Sequence, residues 1–261
     1  MSRLVLGINS AHGDSSAVLV GEKGVLAAIA EERINRKKHF AGFPALAIQE
    51  VMRIAGAAPE DLTDIAVARD PRANFAAKAT FIATHPVVGA RKAVNRFVVH
   101  RDVAGTGDHF ADALGIRSER LKAGFHAVEH HLAHVASSFY CSPFERATGL
   151  SVDASGDYAS SMLAYGEGTK LKILERVLFP HSLGIFYTAL CQLIGFDHFG
   201  EEYKVMGLSA YGVNRFAPEM KRLVWVDPHR GLTLDLDYFK HHRLSSGFEI
   251  NAEGDSIVPQ L

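Results

Sequence analysis

The chain has 261 residues, 48% of them hydrophobic, enough apolar surface for one large core or two smaller ones. It carries 28 Lys and Arg against 29 Asp and Glu, a formal net charge of -1, so no whole-molecule field draws in nucleic acid or an anionic membrane. No apolar run reaches the ~18 residues of a membrane helix, the N-terminus lacks the basic n-region of a signal peptide, and two cysteines are too few for a disulfide framework. A cytoplasmic enzyme is expected, with Cys141 and Cys191 in its core and neither nucleic acid nor membrane as partner.

Leu4 to Ile8 and Ser16 to Val20 are short β-rich runs joined by NSAHGDS, and Val25 to Glu31 follows the turn from Gly21 to Gly24. Three strands in series predict an antiparallel meander. A helix over Ala45 to Ala55 and a strand over Asp64 to Ala68 complete a β-β-β-α-β order, which belongs to mixed α/β sheets. From Pro71 to Arg120 the period-2 spacing is lost and basic residues (Lys78, Arg91, Lys92, Arg96, Arg101) gather, which predicts a helical insertion.

A strand at Gly124 to Val128 restarts the sheet, and the helix that follows runs to about Tyr140, ahead of Pro143. Thr148 to Asp153 and Ser160 to Gly166 pair across the turn ASGDY, with Lys172 to Leu178 as a third strand. Two meanders suggest an internal duplication. Beyond Pro180, SLGIFYTALCQLIGF and EYKVMGLSAYG read as apolar helices with glycines at their ends, and the last stretch is polar without a closing element.

The densest chemistry lies in EHHLAHVASSFYCSPFERATGLSVD. His130 and His134, four apart, share a helix face, and Asp153 arrives at the end of an apolar strand, where an unpaired carboxylate is costly. Two neutral imidazoles and a carboxylate make a three-ligand face that suits zinc or iron and leaves positions open. The plain alternative is a capping His130 with ordinary hydrogen bonds at His131 and His134. His131, rotated about 100° from His130, faces elsewhere.

Three further segments stay ambiguous on their own. The turns Asp153 to Asp157 and Asn9 to Asp14 are either anion- or metal-orienting loops or plain hairpins, with His12 a general base or a turn residue. Glu31 to Phe40 is a charge run, ordinarily a solvated face, although Lys38 follows a buried strand closely enough to bind an anion or a polar substrate. In GEEYKVMGLSAYG, Glu201 and Lys204 could hold a ribose and phosphate beside Gly207, but the spacing matches neither nucleotide fingerprint.

Taken in order, GINSAHGDSSAVLV, EERINRKKH, EHHLAHVASSFY, DASGD, HSLGIFY and EYKVMGLSAYG resemble the N-terminal region of the O-carbamoyltransferases. This is the family of nodulation protein NodU and of the enzymes that carbamoylate cephamycin and tobramycin. The resemblance implies an α/β fold: a duplicated actin/Hsp70-like (ASKHA, Kae1-like) domain over residues 1–261, with a helical insertion near 71–123 and an incomplete second half. In the family a YrdC-like domain makes carbamoyl adenylate from carbamoyl phosphate and ATP, and the Kae1-like domain moves the carbamoyl group to a hydroxyl of a small-molecule acceptor.

Carried over by position, His130, His134 and Asp153 match the family's iron ligands, with zinc the alternative ion. His12 and Lys38 match residues around the acceptor, with Asp157 beside them, while Gly184, Glu201, Lys204 and Gly207 would line the carbamoyl-adenylate pocket. His12 is the expected base. Family chains are longer, so a further aspartate ligand and the YrdC-like domain are expected outside these residues, and this chain alone is expected to show little activity.

Two rival readings remain at this stage. One is an actin-like magnesium-dependent kinase or ATPase using Asp153 and Asp157, although magnesium prefers oxygen to imidazole. The other is an inert binding domain whose exposed apolar surface drives association, as in a homodimer.

Overall fold

The structure is a computed structural model, and it describes residues 3–10, 12–86, 106–117, 120–243, 248–250 and 257–259. Arg91, Lys92, Arg96 and Arg101 of the expected insertion lie outside the described residues. The chain divides into two compact units, the first built on 1–71 and 94–128, the second on 72–93 and 129–249.

The first unit is organised by alternation. In β1 (Val5–Asn9) and β2 (Ser16–Gly21) every second residue is buried, so Leu6, Ile8, Ala17 and Leu19 line one face. With β3 (Gly24–Ala30) these strands form the expected antiparallel meander. Helix α2 (Ala45–Ala55), which follows the one-turn α1 (Glu32–Asn35), lays Ile48, Val51 and Met52 on that face and stops at Gly56, whose φ of 62° suits glycine. Each of those three side chains contributes about 1.5–3 kcal/mol through burial.

Strands β4 (Asp64–Val67) and β5 (Gly124–Ala127) then add in parallel beside β1, giving the order β3-β2-β1-β4-β5. Helix α4 (Thr106–Leu114) inserts the fully buried Phe110 into the same core.

The second unit repeats the meander. Strands β6 (Arg146–Gly156), β7 (Ala159–Glu167) and β8 (Lys170–Leu178) pair antiparallel in sequence order. Helix α5 (His130–Tyr140) packs on one face, where Val135 meets Met162 and Ala164. Helix α6 (Leu183–Leu193) joins a second cluster of Phe186, Leu234 and Phe239. Each unit thus contains a three-strand antiparallel meander packed against helices, and the chain is a mixed α/β fold in which that meander recurs.

Several elements depart from expectation. The described part of the 71–120 segment holds two helices, α3 (Phe75–Thr84) and α4, and the boundary between the units passes between them. The segment EYKVMGLSAYG, read as an apolar helix, does form helix α7 (Glu202–Ser209), and none of its residues is buried. Helix α8 (Ala217–Leu223) and the hairpin β9 (Val224–Asp227) with β10 (Gly231–Leu234) were not anticipated. The polar end closes with a two-stranded sheet of β11 (Phe248–Ile250) and β12 (Ile257–Pro259). Cys191 is buried as expected, but Cys141 is exposed. No described helix is long and apolar enough to cross a membrane.

Candidate metal centre

Helix α5 begins with a cap that the sequence reading had not singled out. Glu129 is the N-cap, and its buried carboxylate accepts the Leu132 N–H at 2.8 Å. Burial pushes the Glu129 carboxyl above the ordinary range, against the Leu132 hydrogen bond. The Asp157 carboxylate accepts the His130 backbone N–H at 2.9 Å, so two acidic side chains sit at the positive end of the helix. Glu129, not His130, therefore caps the helix.

The His130 imidazole turns toward Asp153. His130 Nε2 lies 3.0 Å from Asp153 Oδ2 and 3.0 Å from His134 Nε2, and His134 Nε2 lies 3.8 Å from the same carboxylate oxygen. The three side chains predicted to meet do meet. Donors bound ~2.0–2.2 Å from one ion stand roughly 3–3.5 Å apart, so the spacing fits a shared cation. The donor chemistry fits too: His130 Nε2, with at most one hydrogen, faces two acceptor-capable atoms, and a cation would satisfy all three lone pairs. Two histidines and a carboxylate with open positions suit ferrous iron, and zinc is also accommodated.

The electrostatics are those of a coupled cluster. Although burial works the other way, hydrogen bonds from His130 and the Ala154 N–H, with the His134 imidazole close by, hold the Asp153 carboxyl far below the usual carboxylate range. The nearby Asp153 carboxylate in turn raises His134, against its partial burial. His130 is buried and His134 is half exposed, so one side of the cluster is open to a ligand.

His131 behaves as its rotation predicts. It is fully buried, with Nδ1 2.8 Å from Ser151 Oγ and Nε2 3.1 Å from the Ala159 carbonyl. Burial depresses its pKa to about 4, so it is neutral, donating from Nε2 and accepting the Ser151 hydroxyl at Nδ1.

The remaining candidates fall into two groups. In the first unit, His12 and Lys38 lie on two loops that Ser15 stitches together: its N–H donates to Phe40 O at 2.8 Å and its Oγ to Gly42 O at 2.7 Å. Lys38 is exposed, and the His12 carbonyl lies 3.2 Å from Ser15 Oγ. Beside them, His39 Nδ1 lies 3.0 Å from Asp14 Oδ1, and Glu32 accepts the His39 N–H at 3.1 Å, a cluster the sequence reading missed.

In the second unit, Gly184 packs against the Asp153–Ala154 backbone. Glu201 and Lys204 form an exposed ion pair with each other, which lowers the Glu201 carboxyl and raises Lys204. Gly207 stands in open space on α7.

A family model described as Carbamoyltransferase N-terminus matches residues 4–227. Uncharacterized protein sll1178 of Synechocystis sp. is 32% identical over 224 residues, covering 81% of this chain and 35% of that protein. Nodulation protein NolNO of Sinorhizobium fredii is 34% identical over 212 residues, covering 78% of this chain and 28% of that protein. The chain thus spans about a third of the length of these curated relatives. Among solved structures, YeaZ from Pseudomonas aeruginosa matches at 17% identity and a TM-score of 0.34, over 66% of this chain and 64% of that one.

Proposed function

This chain belongs to the carbamoyltransferase N-terminus family, and from that membership we propose that it serves an O-carbamoyltransferase. The reaction moves a carbamoyl group from carbamoyl adenylate, made from carbamoyl phosphate and ATP, to a hydroxyl of a small-molecule acceptor. The observation that carries this reading is the convergence of His130 Nε2, His134 Nε2 and Asp153 Oδ2.

Ferrous iron, or zinc, held by these three side chains would supply Lewis-acid polarisation where charge develops in acyl transfer. Asp153 and the two imidazoles bind and orient, Glu129 and Asp157 fix the helix end that presents them, and the open side beside His134 admits the reactants. His12 takes the proton of the acceptor hydroxyl as the new C–O bond forms and AMP leaves. Lys38 and Asp157 contribute to acceptor binding, and Gly184, Glu201, Lys204 and Gly207 to the carbamoyl-adenylate pocket. The imidazole pair counts against a magnesium kinase, which would favour oxygen donors.

A YrdC-like domain is the proposed source of carbamoyl adenylate, in a cytoplasmic setting. Exposed apolar side chains on and after α7 (Tyr203, Met206, Leu208, Tyr211) support further association, whether with that domain or as a homodimer.

The test uses the full-length protein supplied with synthetic carbamoyl adenylate and a panel of alcohols, with metal content measured in parallel. Iron or zinc near one per chain, transfer by wild type, and loss of both in His130→Ala are expected. Transfer that persists in metal-free His130→Ala would overturn the reading.

A further inference from the structure

Asp153 stands where its own sheet gives it little support. The β6–β7 ladder runs in register from Arg146 to Val152, breaks, and resumes at Gly156. Such a bulge re-aims a side chain and gives up the ladder bonds that would otherwise hold it. Within the break, the Ala154 N–H donates to Asp153 Oδ1 at 2.6 Å, which leaves Oδ2 facing the two histidines.

What fixes the break is the first turn of α6. Ser182 is the N-cap there, buried, accepting the Ile185 N–H at 3.0 Å. Its Oγ also lies 2.7 Å from the Ala154 carbonyl and 3.2 Å from the Asp153 carbonyl. A hydroxyl has one hydrogen, so the shorter contact takes it, and capping alone would not require that contact. Two residues on, a Cβ at Gly184 would lie 2.5 Å from the Ala154 nitrogen and 2.6 Å from the Asp153 carbonyl carbon. Only glycine lets the helix come this close.

We propose that Ser182 and Gly184 are positioning residues of the metal centre: they clamp the Asp153–Ala154 backbone so that Asp153 Oδ2 meets His130 and His134, and neither ligates the ion itself. The proposal rests on the metal reading given above. Outer partners of this kind commonly set ligand orientation and, through it, metal affinity.

The test reads metal binding directly, with Co2+ as a spectroscopic probe in competition with a chelator, on the full-length protein. Wild type should bind Co2+, while Ser182→Ala and Gly184→Ala should bind it roughly 10–100-fold more weakly. Ser182→Thr, which keeps the hydroxyl, should stay near wild type. A role confined to helix capping would lower the melting temperature and leave the folded protein's Co2+ affinity unchanged, and that result would overturn the clamp.

If Ser182→Ala fails to fold, the near-isosteric Ser182→Cys, a weak donor, decides by the same measurement: weakened affinity supports the clamp and wild-type affinity rejects it. Folded wild type that binds no Co2+ would instead refute the metal reading, and the clamp with it.

Discussion

A Cβ placed on Gly156 would lie 2.0 Å from Cδ2 of His130, so the imidazole occupies the space that any side chain at position 156 would fill. Gly156 ends β6, one residue before Asp157 takes the helix amide, so a single hairpin turn both makes room for the His130 ring and holds the helix that carries it.

Gly156→Ala should therefore act on His130 first. The ring must rotate or the helix end must lift, at an overpacking cost of about 1–3 kcal/mol. The expected outcome is a protein that still folds, with a lowered denaturation midpoint and strongly weakened Co2+ or Zn2+ binding. Unchanged metal affinity would show that the ring can reach Asp153 by another path.

The rest of α5 sits on glycine in the same way. A Cβ on Gly149 would lie 2.8 Å from Val135 Cγ1, and one on Gly166 would lie 2.7 Å from the Phe139 ring. Gly149→Ala and Gly166→Ala should each destabilise by about 1–3 kcal/mol in urea unfolding, because Val135 and Phe139 are buried and have little freedom to move. Both sites are removed from the ligand atoms, so metal affinity in the folded variants should fall less than in Gly156→Ala.

These glycines show what was legible in the sequence and what was not. The i, i+4 spacing of His130 and His134, with a carboxylate at a strand end, predicted that the three side chains meet, because helix periodicity fixes which side chains share a face. The meanders were legible from alternation. The supports were not, because Gly156, Ser182 and Gly184 act through backbone approach between segments far apart in sequence, which no local pattern encodes. Helix α7 was legible as a helix, but its exposure was not, because burial depends on what packs against it.

Glu31 makes the same point in the first unit. Within EERINRKKHF it looks like one more solvated charge, yet it is buried, and its carboxylate accepts the Leu46 and Ala47 N–H groups at 3.3 and 2.7 Å. Pro44, at the N-cap of α2, offers no side-chain acceptor, so Glu31 satisfies the helix start from 15 residues away in sequence. Glu31→Ala should cost about 2 kcal/mol or more, the scale of a lost cap with charge-assisted hydrogen bonds. Alanine at the neighbouring Arg33, which is exposed, should change stability by less than about 0.5 kcal/mol. Equal effects in chemical denaturation would refute the capping role.

The pH dependence of stability should carry a signature from His181. Burial, followed by the nearby Arg230, lowers its pKa below the ordinary imidazole value, and its Nδ1 accepts the Leu234 N–H at 3.1 Å. Protonating that nitrogen would break the bond, so the folded state holds the neutral ring. The unfolded chain takes up its proton near the reference value of about 6.5, so it binds more protons than the folded state just below that pH. The contribution is therefore fully present above about pH 6.5 and is lost as pH falls through the folded-state value. His181→Asn places an amide oxygen where Nδ1 accepts, keeping the bond to Leu234 and removing the titration. Denaturation midpoints measured across the mildly acidic range should fall with pH more shallowly in His181→Asn than in wild type, and parallel curves would exclude His181 as the source.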